Sequence, residues 1–182
     1  MVDLENIKQY QVERPGTWTV FGSPEDFDAM PITHQDQIIF LNKEADSYLN
    51  RLLESAKLVY ENDNPFKKNN FKSVVEYTGM ADEKALKKWL FNRKIPFKTN
   101  VFLMEDSFIY TTWKMVVKYS PDIFFGNDVI VFDKTLNWCL FYFHHDHLFF
   151  GRDNVYDSRE DDERMAGLNE MKKMYPHFKF PY

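Results

Sequence analysis

The densest group of side chains able to do chemistry is His144-His145-Asp146-His147. Imidazole nitrogens and a carboxylate oxygen are metal ligands, and imidazole is also a ready acid or base near neutral pH. A metal-dependent hydrolase built on these four residues is therefore one reading. Their spacing limits it. In an extended strand His145 and His147 share one face while His144 and Asp146 share the other, so at most two converge unless the backbone turns. A stable zinc site needs three or four ligands. The other histidines, His34 and His177, are distant in sequence, and the lone cysteine, Cys139, sits in an apolar run. The competing reading puts the cluster at a strand end or sheet corner, hydrogen-bonded to Tyr142, Asp128 or backbone. On that reading neither a metal nor a cofactor is expected.

A second group is acidic: Asp153, Asp157, Glu160, Asp161, Asp162 and Glu163. Acids in a first helical turn complement the helix dipole without any partner. There are more of them than a cap requires. A one-sign patch beside a rigid sheet speeds encounter with a basic protein and orients it, so this stretch is expected to form part of a partner-binding face. Other catalytic equipment is missing: there is no G-x-S-x-G, no phosphate-cradling glycine loop and no dinucleotide fingerprint. Asp128 and Asp133 bracket a strand and are expected to flank turns. Trp89, Trp113 and Trp138 each lie on an apolar face and are expected to pack in the core.

The elements that must position these residues centre on a hairpin. Val129–Phe132 and Trp138–Phe143 are runs of β-branched and aromatic residues, separated by the five-residue polar segment 133–137. Pairing Phe132 with Trp138 sets Val131 against Cys139, Ile130 against Leu140 and Val129 against Phe141. Both faces are then apolar, which predicts a central strand pair covered on both sides. Upstream, residues 1–14 are read as a loose arm or short first helix, and residues 17–21 alternate like a strand. Ser23-Pro24-Glu25-Asp26 reads as a helix start, and residues 38–41 as a strand or the lead-in to a helix over 42–60. Phe71–Tyr77 is read as a short helix ended by Gly79, and Asp82 as the cap of another. A strand is expected at residues 101–103, a helix over 107–119, a polar loop after Gly151 and a last helix over 158–174. The aromatic tail, 176–182, is expected to dock on the body. The order predicts a single α+β domain over 1–182, a mostly antiparallel sheet around the hairpin with helices packed against it.

At 182 residues, 44% of them hydrophobic, the chain is long enough to bury a sizeable core. A net charge of −5 disfavours nucleic acid, which needs clustered Lys and Arg, and suits a basic protein partner. With one cysteine no intramolecular disulfide can form. The first residues lack a secretory pattern and no apolar run approaches a membrane span, so a soluble cytoplasmic protein without membrane association is expected.

His144, Asp146 and His147 are similar to the last three positions of the H-x-H-x-D-H motif of metallo-β-lactamases. Tyr142 stands where its first histidine belongs, and no glycine-rich turn into a helix follows, so that assignment is rejected. Asn127-Asp128-Val129-Ile130-Val131-Phe132-Asp133, then Asn137-Trp138, then the strand end before Phe149-Phe150-Gly151, resemble a pattern in small bacterial cytoplasmic proteins. These include immunity proteins of polymorphic or contact-dependent toxin systems, such as the SMI1/KNR4-like group. The resemblance covers about a sixth of the chain. It implies a protein that binds and neutralises a basic toxin or nuclease domain, with no catalytic residue to carry over.

Overall fold

The structure, a computed structural model, describes residues 2–15, 20–59, 66, 70–155 and 162–177, with the backbone alone at 162–166 and 168. A 3₁₀ helix, Leu4–Tyr10, leads into β1 (Gln11–Val12), α1 (Pro24–Asp28), α2 (Ile32–Gln35), β2 (Ile39–Leu41) and α3 (Lys43–Ala56). There follow β3 (Phe71–Tyr77), α4 (Glu83–Phe91), β4 (Asn100–Met104), β5 (Phe108–Thr112), α5 (Trp113–Lys118) and α6 (Ser120–Ile123). The chain then runs through β6 (Val129–Phe132), β7 (Trp138–Phe143), β8 (His147–Asn154) and α7 (Asp162–Met174). The fold is α+β. The described strands join one antiparallel sheet in the order β1-β2-β5-β4-β6-β7-β8-β3.

Helices begin where a side chain can replace the missing backbone acceptor. Ser23 and Asp26 form a reciprocal capping box at α1, Asn42 accepts from Glu44 and Ala45 at α3, and Asp82 accepts from Ala85 at α4. The central hairpin is buried on both faces, as its composition requires. Ile130, Phe132, Cys139 and Phe141 face a core with Leu49 and Leu52 of α3, Ile7 of the 3₁₀ helix and Met171 of α7. Val129, Val131, Trp138, Leu140 and Tyr142 face a second core with Leu86 and Leu90 of α4 and Trp113 and Val116 of α5. Among the described residues no helix is long and apolar enough to cross a membrane.

The hairpin register differs from the expected one by a residue. Phe132 pairs with Cys139, Val131 with Leu140, Ile130 with Phe141 and Val129 with Tyr142. A slip of one normally exposes a buried face, but here both faces are apolar and the pattern leaves the register open. The loop decides it. Asp133 accepts from the amide and hydroxyl of Thr135, its second oxygen accepts the Trp138 indole N–H at 2.9 Å, and its carbonyl accepts the Leu136 amide. Leu136 takes a left-handed conformation (φ 56°) that sends its side chain into the first core. Trp138 then pairs with Arg152 of β8. Its ring meets Trp113 edge-on and stacks on Phe150, so it is a core residue, while Trp89 stacks on Tyr77.

Other expectations are corrected. Phe71–Tyr77 is a strand on the edge of the sheet, paired along β8. Gly151 is the reason it fits there: a Cβ at that position would lie 2.5 Å from Cδ2 of Phe71, whose ring occupies the space. Residues 107–119 divide into β5 and α5, because the aromatic and β-branched run Phe108–Thr112 pairs with β4 before the chain turns helical at Trp113. Val20 and Phe21 form a buried turn with Phe21 at φ 72°, and residues 17–19 of the expected strand lie outside the described residues. Of the two readings of residues 1–14, the short first helix is the one found at Leu4–Tyr10, with Leu4, Ile7 and Tyr10 buried and β1 paired to β2. The helix expected over 42–60 ends at Ala56, with Lys57 left-handed. β8 continues through Gly151 to Asn154, where a polar loop was expected. The tail is described only to His177.

Two stability predictions follow from this packing. Trp138→Ala is expected to cost about 3–5 kcal/mol in urea unfolding, the range for deleting a large buried aromatic. A cost below about 1 kcal/mol would place the hairpin at an exposed edge. Gly151→Ala is expected to cost about 1–3 kcal/mol through the clash with Phe71. Combining it with Phe71→Leu should then cost less than the sum of the single changes, whereas strict additivity would show that the ring does not set the strain.

Candidate functional site

Antiparallel pairing brings the β4–β5 turn, the lead-in to β6, the β7–β8 turn and the end of β3 to one end of the sheet. The histidine cluster lies there. His144, His145 and Asp146 are exposed and form the turn between Phe143 and His147, which pair with each other. Asp146 is left-handed (φ 58°), the geometry that closes a three-residue hairpin loop. The expected extended strand, with His145 and His147 on one face, is thus replaced by a turn that sets the His144 and His145 ring centroids 4.2 Å apart, while His147 lies against Glu76.

Each group has its own partner. The His144 amide donates to Asp128 Oδ1 at 2.9 Å, and its ring Nδ1 lies 2.8 Å from the same oxygen. His147 Nε2 lies 3.1 Å from Glu76 Oε2 on β3, and its ring stacks on Phe149. His145 packs edge-on against Phe143. The Tyr142 hydroxyl donates to Asp146 Oδ1 at 3.2 Å. Burial, then the Asp146 carboxylate, push the Tyr142 phenol up to about 12. The arrangement is the sheet corner with Asp128 and Tyr142 as partners. Among the described residues no group of three or more His, Cys, Asp or Glu side chains is placed to hold a metal ion.

The same end carries groups that the sequence did not single out. Glu105 and Asp106 lie in the β4–β5 turn, and Asn127 Nδ2 donates to Glu105 Oε1 at 2.9 Å. Burial, opposed by Asn127 and reinforced by Asp106, raises the Glu105 carboxyl above its usual range. Phe124 and Phe125 are adjacent and point opposite ways. Phe124 is 3% exposed and packs on Tyr142, whereas Phe125 is 81% exposed. The turns at 105–107, 124–128 and 144–146 contain Glu105, Asp106, Asp128 and Asp146 but no lysine or arginine, and Glu76 adjoins them.

The acidic stretch is placed only in part. Asp153 is exposed at the opposite end of β8 from the histidine turn, with Oδ1 3.5 Å from Asn137 Nδ2. Asp157, Glu160 and Asp161 lie outside the described residues, and Asp162 and Glu163 are described only as backbone of α7. Two cavities lie elsewhere. One, of about 560 Å³, lies between α3 and α7, and the other, of about 320 Å³, lies between the 3₁₀ helix and the ends of β4 and β5. Neither is lined by a histidine or a cysteine. Cys139 is fully buried, and burial raises its thiol well above the ordinary value, so it is no nucleophile. Comparison of the chain with protein-family models, curated proteins and solved structures finds no match.

Among the described residues no three ligands are gathered around His144 or His147, so no metal-dependent stability is expected. Untagged protein is expected to melt at the same temperature in EDTA and in equimolar zinc. A zinc-dependent rise that disappears in the double variant His144→Ala, His147→Ala would establish a metal site.

Proposed function

We propose that this protein is a non-enzymatic cytoplasmic binding module that recognises a basic protein, as an immunity protein occludes a toxin domain. One observation carries the reading: Phe125, 81% exposed, stands among turns that bear carboxylates and no lysine or arginine. Like-signed exposed charges steer an oppositely charged partner from a distance and raise its encounter rate. An exposed aromatic beside them supplies the apolar anchor that charges alone do not, since a few buried side chains carry most interface energy. The net charge of −5 adds to the same field. For the alternative, a metal-dependent hydrolase on His144, His145, Asp146 and His147, no group of three ligands is placed to hold a metal among the described residues.

The test is affinity capture of a basic protein, followed by measured binding to variants at exposed positions. Phe125→Ser is expected to raise the dissociation constant about tenfold or more. Asp106→Lys should slow association and weaken its salt dependence, and both variants should unfold within about 0.5 kcal/mol of the parent. A captured partner that binds both variants at unchanged rates would overturn the reading. If only the triple variant Asp161→Lys, Asp162→Lys, Glu163→Lys slowed association, the binding face would be the acidic stretch instead.

A further inference from the structure

The two outer strands of the sheet are managed differently. β1 ends one side and is only two residues long, which is one way a fold blunts an open edge. β3 ends the other side with seven residues, and it pairs with β8 through Tyr77. Among the described residues no strand lies on its outer side. It contains no proline and no residue with positive φ, so its outward amides and carbonyls form a regular row that another strand can meet. At its centre Val74 is 45% exposed, on an element whose partner strand is largely buried.

The charges on β3 are arranged symmetrically about that valine. Lys72 and Glu76 sit two residues to either side of Val74, on the same face of the strand, and both are exposed. An antiparallel pair of identical strands centred on Val74 sets Val74 against Val74, and Lys72 of each chain against Glu76 of the other. A two-fold interface repeats each contact, so both pairs would be attractive. Directly opposed unlike charges stabilise a sheet pair, and like charges destabilise it by a similar amount. Moving the centre by two residues, to Lys72 or to Glu76, would oppose like charges on the axis, and moving it by one, to Ser73 or Val75, would lose both unlike pairs. The sequence of the edge therefore favours one self-pairing over its neighbours.

We infer that β3 is a homodimerisation edge: two copies of this chain pair their β3 strands antiparallel about Val74, joining their sheets into one. The partner is a second copy because the charge pattern is complementary to its own reversed image. This edge shares Glu76 with the acidic end of the sheet but uses neither Phe125 nor the three turns, and self-association is read without the proposed basic partner, so the two readings fail independently. An edge-only interface is small, and such contacts belong to the weak, concentration-dependent class.

Sedimentation equilibrium from about 10 to 500 µM tests it, a span suited to an interface of this size. The parent chain is expected to rise from monomer toward dimer mass. Lys72→Glu alone, and Glu76→Lys alone, should each raise the dissociation constant about tenfold or more, since each replaces two attractive pairs by two repulsive ones. Glu76→Lys also removes the contact to His147, whereas Lys72→Glu leaves it intact, so agreement of the two isolates the edge. Mixing the two monomeric variants should restore dimer, because one chain then presents carboxylates at both positions and the other ammonium groups. Monomer mass for the parent throughout would overturn the inference. So would single variants that dimerise like the parent, or a mixture that stays monomeric.

Discussion

The buried Trp138 indole N–H donates to the Asp133 carboxylate, whereas that of Trp113 beside it has no acceptor among the described residues. Leaving such a donor unpaired costs roughly 1–3 kcal/mol, more than most single contacts contribute. Trp138 lies between Trp113 and Phe150, so its nitrogen cannot be satisfied by water without unpacking that core. The bond to Asp133 Oδ2 therefore ties the first residue after β6 to the first residue of β7. With Leu136 drawn into the opposite core, the connection has one conformation that satisfies both ends. The register of the central pair then follows from a polar contact. Hydrophobic burial supplies the driving force for the sheet but, with two apolar faces, does not choose between registers.

The rest of the sheet is measured from that pair. β6 sets β4, which sets β5 and β2, while β7 sets β8, which sets β3. Alternation along β6 sends Ile130 and Phe132 to one core and Val129 and Val131 to the other. The same alternation puts Tyr142 in the second core, under Phe124, where its hydroxyl reaches Asp146. The chain thus couples its central packing to the turn that carries the histidines. Tyr142 is the link, buried at its ring and hydrogen-bonded at its tip.

How much of this was legible in the sequence depended on whether the signal was local. Ser23, Asn42 and Asp82 announce helices because the capping bond is made within a few residues. The two runs of the hairpin were legible because they are short, apolar and separated by polar residues. Residues 107–119 were not, since Ile109, Trp113 and Val116 fall at helical spacing while Phe108–Thr112 has strand composition. No side-chain cap at Thr112 marks the change. Phe71–Tyr77 was misread because its strand depends on the space left by Gly151, far along the chain. The site was legible as a histidine cluster and no further. Asp128 flanks the same hairpin and could be named, but Glu76 and Glu105 arrive through sheet order, which no local pattern encodes. Phe125 had no signal at all, because an exposed phenylalanine beside a buried one reads as a single apolar pair.

The balance between catalysis and recognition at this end of the sheet is a question of range. An imidazole that works as a base or ligand must be free to take a proton or a metal, in a place where water is held back. His144 and His147 each set one ring nitrogen against a carboxylate at the surface, where solvent weakens any single electrostatic contact. What survives solvent screening is the collective field of many like charges, which reaches about 8–10 Å at ordinary ionic strength. Asp106, Asp128, Asp146, Glu76 and Glu105 all lie at this end of the sheet and would act together over that range. The histidine–carboxylate pairs hold two of those acids in fixed places at the ends of strands. On the proposed reading, their contribution is to give the acidic surface a shape, with Phe125 as the part of it that a partner must bury.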